Sequence, residues 1–101
     1  MSVEIKNLDG KIILIYDEAD TLVNADLKNK NLTRADFRNM NLSRINLEYA
    51  HCRGANFSSA ILKDAYMPYA QCMEAIFHQT DLKIVETLER KLRPLELSFD
   101  S

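Results

Sequence analysis

The sequence predicts an all-β solenoid: a square coil of about three turns, preceded by a strand hairpin and followed by a helix. Three observations carry this. Large apolar residues recur at every fifth position from Leu27 to Leu82. Residue types also sort into columns 20 positions apart. Before the repeat lies a β-rich apolar pair of runs, and after it an amphipathic segment. A period of five matches neither the helix period near 3.6 nor the strand period of 2, so it needs its own geometry.

The hairpin comes first. In "VEIKNLDGKIILIY", Asp9-Gly10 is a turn pair between two β-rich runs. The second run, Ile12 to Tyr16, is apolar at every position. It is therefore expected to be buried on both faces, lying over the open first coil. "DEADTLVN" leads into the coil, and Leu22 already keeps the five-residue phase. Residues 1–24 form this cap and lead-in.

The coil occupies residues 25–84. Stepping by five gives Leu27, Leu32, Phe37, Leu42, Leu47, Cys52, Phe57, Leu62, Met67, Cys72, Phe77 and Leu82, all apolar. Two residues before each lies a second column, and eight of its twelve members are Ala. Between them stands Asp or Asn in many repeats, as at Asp26, Asn31, Asp36 and Asn41. Small-in, polar-out, large-in is strand alternation over three residues; the other two must turn the chain. Four such sides close one turn, which brings position i beneath position i+20.

Positions 20 apart should then stack, and they do by type. Phe37, Phe57 and Phe77 form one column, Leu42, Leu62 and Leu82 another. Cys52 and Cys72 follow Leu32, and Met67 follows Leu27 and Leu47. The phenylalanines are partnered by Ala35, Ala55 and Ala75, so the bulkiest groups meet the smallest. Three coils follow, residues 25–44, 45–64 and 65–84. Lys30, Met40 and Ile45 depart from the small column. The end of the stack gives the Lys30 amine a way out, whereas Met40 and Ile45 are expected to bulge or widen one corner.

The tail spans residues 85–101. "KIVETLERKLRPLELSF" reads as an amphipathic helix from about Leu82 to Leu92, stopped by Pro94. Ile84, Val85, Leu88 and Leu92 share a stripe, and Glu86–Arg90 and Glu89–Arg93 are favourable pairs. The stripe is expected to cover the last coil, whose strand edges would otherwise invite aggregation, or to dimerise.

The stretch "NADLKNKNLTRADFRNMNLSRINL" resembles the pentapeptide-repeat family, whose members are right-handed quadrilateral β-helices. The likeness runs through twelve repeats, more than half of the chain. A non-enzymatic interaction module, binding a protein partner or itself, is expected on other grounds: outward Ile61, Tyr66, Tyr69 and Ile76 and no catalytic set. Some members are acidic, rod-like dimers that occupy the DNA site of type II topoisomerases such as DNA gyrase, so a DNA-mimicking modulator of that enzyme is the alternative implied.

Charge and composition narrow the partners. The net charge of -2 divides into −3 for residues 1–24, +1 for 25–82 and 0 for 83–101, so nothing calls for nucleic acid or an acidic membrane. No apolar run approaches the roughly 20 residues of a membrane span. With no secretory signal at the start and only two cysteines, a cytoplasmic protein with reduced thiols is expected.

No nucleophile–base set, phosphate loop or metal-ligand spacing occurs, so no enzyme, cofactor or metal is expected. His51 and Cys52 are adjacent and point to opposite faces of a strand side. Arg34, Arg38, Arg44 and Arg53 form a weak candidate anion or nucleic-acid patch. The stronger surface signal is apolar. Ile61, Tyr66 and Ile76 stand at outward positions where polar residues are usual, and Tyr49 and Tyr69 stack in another outward column beside Pro68. These five residues are the candidate interface for a protein partner or for self-association, a homodimer being possible through this apolar coil face or the C-terminal helix.

Overall fold

The computed structural model of the chain describes residues 1–82 and 96–97. Its elements are β1 (Val3–Lys6), β2 (Ile12–Tyr16), β3 (Gln71–Cys72) and β4 (Glu96–Leu97). Between β2 and β3 the chain winds as a coil held by single parallel bridges rather than long strands.

Those bridges fall into four ladders, one per side of the square. Asp26, Asn46 and Tyr66 make the first. Asn31, His51 and Gln71 make the second, Asp36, Asn56 and Ile76 the third, and Asn41, Ile61 and Asp81 the fourth. Each step up a ladder is one full turn of four five-residue sides, so the chain completes three coils. Successive coils are tied by paired bonds: Asn46 donates to the Ala25 carbonyl at 2.8 Å while Leu27 donates to the Asn46 carbonyl at 2.8 Å.

The corners explain the five-residue rhythm. Each side ends in a turn whose fourth residue donates back to the first, from Ala25 to Leu22 through Thr80 to Phe77, at 2.9–3.3 Å. The third residue of every turn has positive φ: 55–64° in eleven non-glycine residues from Asn24 to Gln79, and 69° at Gly54. That is what a type II turn demands, and it normally favours glycine. Only Gly54 meets the preference. A Cβ there would lie 3.2 Å from the Arg34 Cγ one coil below, so this corner has a close-approach reason for glycine that its neighbours lack.

The interior follows the sequence columns. All the large residues from Leu27 to Phe77 are buried, and so are the alanines of the coil. The phenylalanine rings stack face to face, Phe37 on Phe57 at 5.1 Å and Phe57 on Phe77 at 5.0 Å, the latter only 3° from parallel. Outward Asp and Asn side chains accept from the N–H two residues on. Asp26 takes Lys28, Asn41 takes Ser43 and Asn56 takes Ser58, at 2.9–3.2 Å. They tie down the corner backbone as the sequence suggests.

Two expectations are corrected. Met40 and Ile45 do not distort a corner: Ile45 N–H meets the Leu42 carbonyl at 3.1 Å and Arg44 has φ 57°, like every other turn. Ile45 fits because its column neighbours are Ala25 and Ala65, and Met40 sits half-buried at the rim of the first coil. Lys30 is exposed at the same end.

The second correction concerns the hairpin. β1 and β2 pair antiparallel around a turn at Gly10 (φ 85°). The turn is clamped by the Asn7 side chain, which accepts from Asp9 and Lys11. It is β1, not β2, that bonds to the coil: Asp36 donates to the Lys6 carbonyl and Leu8 to the Arg34 carbonyl, both at 2.8 Å. Ile5 is fully buried, while Ile12 and Ile15 of β2 are exposed. The register shifts between Ile5 and Lys6, leaving Ile13 as the extra residue. Ile15 faces outward by ordinary alternation between Leu14 and Tyr16, and the bulge turns Ile12, which alternation alone would have set inward, to the same outer face.

At the other end, β4 pairs parallel with β3, Gln71 with Glu96 and Cys72 with Leu97. The offset is one repeat more than a full coil. The helix expected within residues 85–101 lies outside the described residues; among those described there is no helix.

Phe57 sits between two stacked rings, so Phe57→Ala is expected to cost about 3–5 kcal/mol in chemical denaturation.

Candidate functional site

The first side of the coil carries the tyrosines. Tyr66 stands in the bridge column above Asn46 and Asp26. Tyr49 and Tyr69 stand at the corner ending that side, with φ 57° and 60°. Their rings stack at 5.0 Å and 11°. A bulky residue with positive φ is uncommon, yet here the corner is over-determined: Tyr49 N–H donates to the Pro68 carbonyl at 3.1 Å, and Ala50 closes the turn to Leu47 at 2.9 Å.

Pro68 accounts for the apolar character of this side. It occupies the second position of the turn Met67–Ala70, where its fixed φ suits the geometry. Having no N–H, it gives an Asp or Asn at position 66 nothing to accept from, and a tyrosine stands there instead. Pro68 itself is buried. Tyr49, Tyr66 and Tyr69 remain 51%, 40% and 42% exposed.

The structure separates the five candidate residues. Tyr49, Tyr66 and Tyr69 share the first side. Ile61 lies in the fourth ladder, on the adjoining side that leads into it, and is exposed. Ile76 lies in the third ladder, across the square, and is half-buried. Ile61, Tyr66 and Ile76 hold the same place within five residues, but not the same side. Met73, on the second side, is a further exposed apolar residue. Its signal is an apolar side chain one place after Cys72, where Thr33 and Arg53 stand in the coils below.

Of the four arginines, Arg34 and Arg53 are neighbours on the second side, the Arg34 N–H donating to the Arg53 carbonyl at 2.8 Å, while Arg38 and Arg44 lie on the third and fourth sides; each has a side-chain partner. Arg34 meets Asp9 of the hairpin turn at 2.7 Å. Arg38 forms a two-pronged pair with Asp36, both bonds 2.8 Å. Arg53 meets Glu74 at 3.0 Å, and Arg44 donates to the Asn24 side chain at 2.8 Å. Three guanidinium groups thus face carboxylates, which leaves little free positive potential for an anion.

The titratable core pair is chemically quiet. Cys52 and Cys72 are free thiols buried in one column. The hydrogen bond to Cys72, together with burial, pushes the Cys52 thiol well above its ordinary range. Among the described residues, no three of His, Cys, Asp and Glu converge on a point that could hold a metal. His51 Nδ1 lies 3.0 Å from the Gln71 Oε1 one coil above, on the outside. An open groove of about 540 Å³ lies between β1 and the first coil, beside Val3, Asp36 and Met40. No helix among the described residues is long and apolar enough to cross a membrane.

Comparison with known proteins agrees with the geometry. The family model described as pentapeptide repeats matches eight copies, over residues 21–47 and 41–79. No curated protein matches the chain.

Two outcomes are expected. Both thiols should resist a water-soluble thiol reagent in the folded chain and react fully in denaturant. The guanidinium of Arg38 hydrogen-bonds Asp36 and holds its carboxyl below the usual range. A depressed folded-state value contributes stability above the unfolded pKa and loses it as pH falls through the folded one. The difference in melting temperature between wild type and Arg38→Gln should therefore be full at neutral pH and shrink below about pH 4.

Proposed function

The chain belongs to the pentapeptide-repeat family, and from that membership we propose that it is a non-enzymatic interaction module: a short rigid coil that presents its first side to a protein partner. The observation that supports this most is the stacked Tyr49–Tyr69 pair, held at two stiff corners with Tyr66 on the same side and Ile61 on the adjoining one. Tyrosine supplies large contact area with few rotatable bonds, which is why it is enriched where proteins dock. A backbone bonded to the neighbouring coil, as Tyr66 N–H is to the Ile45 carbonyl at 2.9 Å, presents these rings with little ordering cost on binding.

The topoisomerase alternative has weaker footing. A DNA mimic needs a continuous run of negative charge along its side. Here residues 25–82 carry +1, and the carboxylates of Asp36 and Glu74 are matched by arginines. A gyrase supercoiling assay should accordingly show neither inhibition nor protection.

Affinity capture from the native host tests the main proposal. Proteins retained by the wild type should be lost with Tyr66→Asp and with Tyr69→Ala, and kept with Ile76→Asp on the opposite side. The tyrosine side chains are half exposed, so both variants should stay folded, with stability changes of about 1 kcal/mol or less. An unchanged set of captured proteins with both tyrosine variants would sink the proposal.

A further inference from the structure

The outward face of the hairpin has no role in the coil. Val3, Ile5, Leu14 and Tyr16 turn inward and pack on or within the core. Glu4, Lys6, Ile12 and Ile15 turn outward, all exposed, the two isoleucines at 43% and 55%. Cross-strand register sets Ile15 beside Glu4 and Ile12 beside Lys6. The four side chains make a two-by-two pattern: an apolar row on β2, and on β1 a charged row whose sign reverses along the strand. Among the described residues neither Glu4 nor Lys6 forms an ion pair.

This pattern is self-complementary under one particular symmetry. Take a two-fold axis lying in the plane of contact and perpendicular to the strands. It keeps each row over itself and reverses its direction. Ile12 then meets Ile15 of the second copy, and Lys6 meets Glu4 of the second copy, twice over. A two-fold axis along the strands would instead lay the isoleucines on the charges. Isologous contact requires such self-complementarity, and opposite charges fix the register while apolar contact supplies the attraction.

We propose that this face is a self-association surface whose occupant is a second copy of the chain, joined end to end through the two hairpins. The chain's own tail is a poor occupant: β4 lies on β3 of the third coil, at the far end of the stack from the hairpin. The contact is independent of the tyrosine side. A face of one hairpin is small, so the dimer belongs with transient, concentration-dependent assemblies.

Sedimentation equilibrium of the full chain, from about 1 to 500 µM, tests it. The mass should rise from 11.6 kDa toward twice that value. Lys6→Glu and Glu4→Lys each replace two attractions by repulsions and should each weaken the dimer at least about tenfold. An equimolar mixture of the two variants sets a copy whose β1 row is wholly acidic against a copy whose row is wholly basic, and should restore it. Ile15→Asp, with an unchanged circular dichroism spectrum, should be monomeric, whereas Tyr69→Ala should dimerise like the wild type. A wild type that stays monomeric throughout overturns the proposal. So does a dimer indifferent to both charge variants, or a mixture no better than its components. A monomer that co-sediments with phosphatidylcholine vesicles, and loses this with Ile15→Asp, overturns it in favour of a lipid surface.

Discussion

Everything in this molecule depends on a backbone that takes positive φ at every fifth residue. For an L-residue other than glycine that conformation costs about 1 kcal/mol or more, and eleven residues accept it. The cost is offset by bonds that act from two directions. Each corner is closed by its own turn, and through the second coil its N–H also reaches a carbonyl in the next coil, as Asn29 does to Glu48 and Ser59 to His78. A strained conformation persists where its surroundings over-determine it. The corners and the stacking therefore stabilise each other: without a neighbouring coil the corner is unfavourable, and without the corner no coil is placed to stack. Solenoids built this way are cooperative between neighbours and vulnerable at their ends.

The ends are where structure and sequence part company. The interior is legible because its signal is doubled: a residue type repeated every five positions and sorted every 20. Phe37, Phe57 and Phe77 announce their column, and the rings stack as that column requires. The hairpin is legible as a hairpin, from Asp9-Gly10 between β-rich runs. Its burial is not. "IILIY" is uniformly apolar, so nothing in composition marks which face Ile15 takes, or the bulge at Ile13 that swings Ile12 outward beside it. That depends on how β1 bonds to the first coil, a tertiary contact with no local signature.

The candidate surface is legible to the same mixed degree. Tyr49 and Tyr69 are one full turn apart, so sequence alone puts them together. Ile61, Tyr66 and Ile76 are separated by one and two repeats, so they share an outward position without sharing a side. Counting by five tells whether a residue points in or out; only counting by 20 tells where around the square it points. The arginines illustrate the same limit. Arg34, Arg53 and Arg44 find Asp9, Glu74 and Asn24 at least a full turn away along the chain, so a cluster in sequence becomes separate contacts in space.

The coil is counted in two steps, the five-residue side and the 20-residue turn, and β4 pairs with β3 at an offset of one of each. The same arithmetic has an evolutionary consequence. Inserting or deleting a whole turn changes the height of the column and leaves every later residue facing its old direction. Inserting or deleting one repeat keeps the core phase intact, because large and small residues still alternate inward, but turns everything downstream by a quarter revolution. Such a change between Tyr49 and Tyr66 would carry Tyr66 and Tyr69 to a neighbouring side and part them from Tyr49. In a coil of this kind, short insertions act as a rotary dial: they re-aim a binding surface and keep large and small residues pointing inward, at the cost of re-pairing the core columns across the insertion.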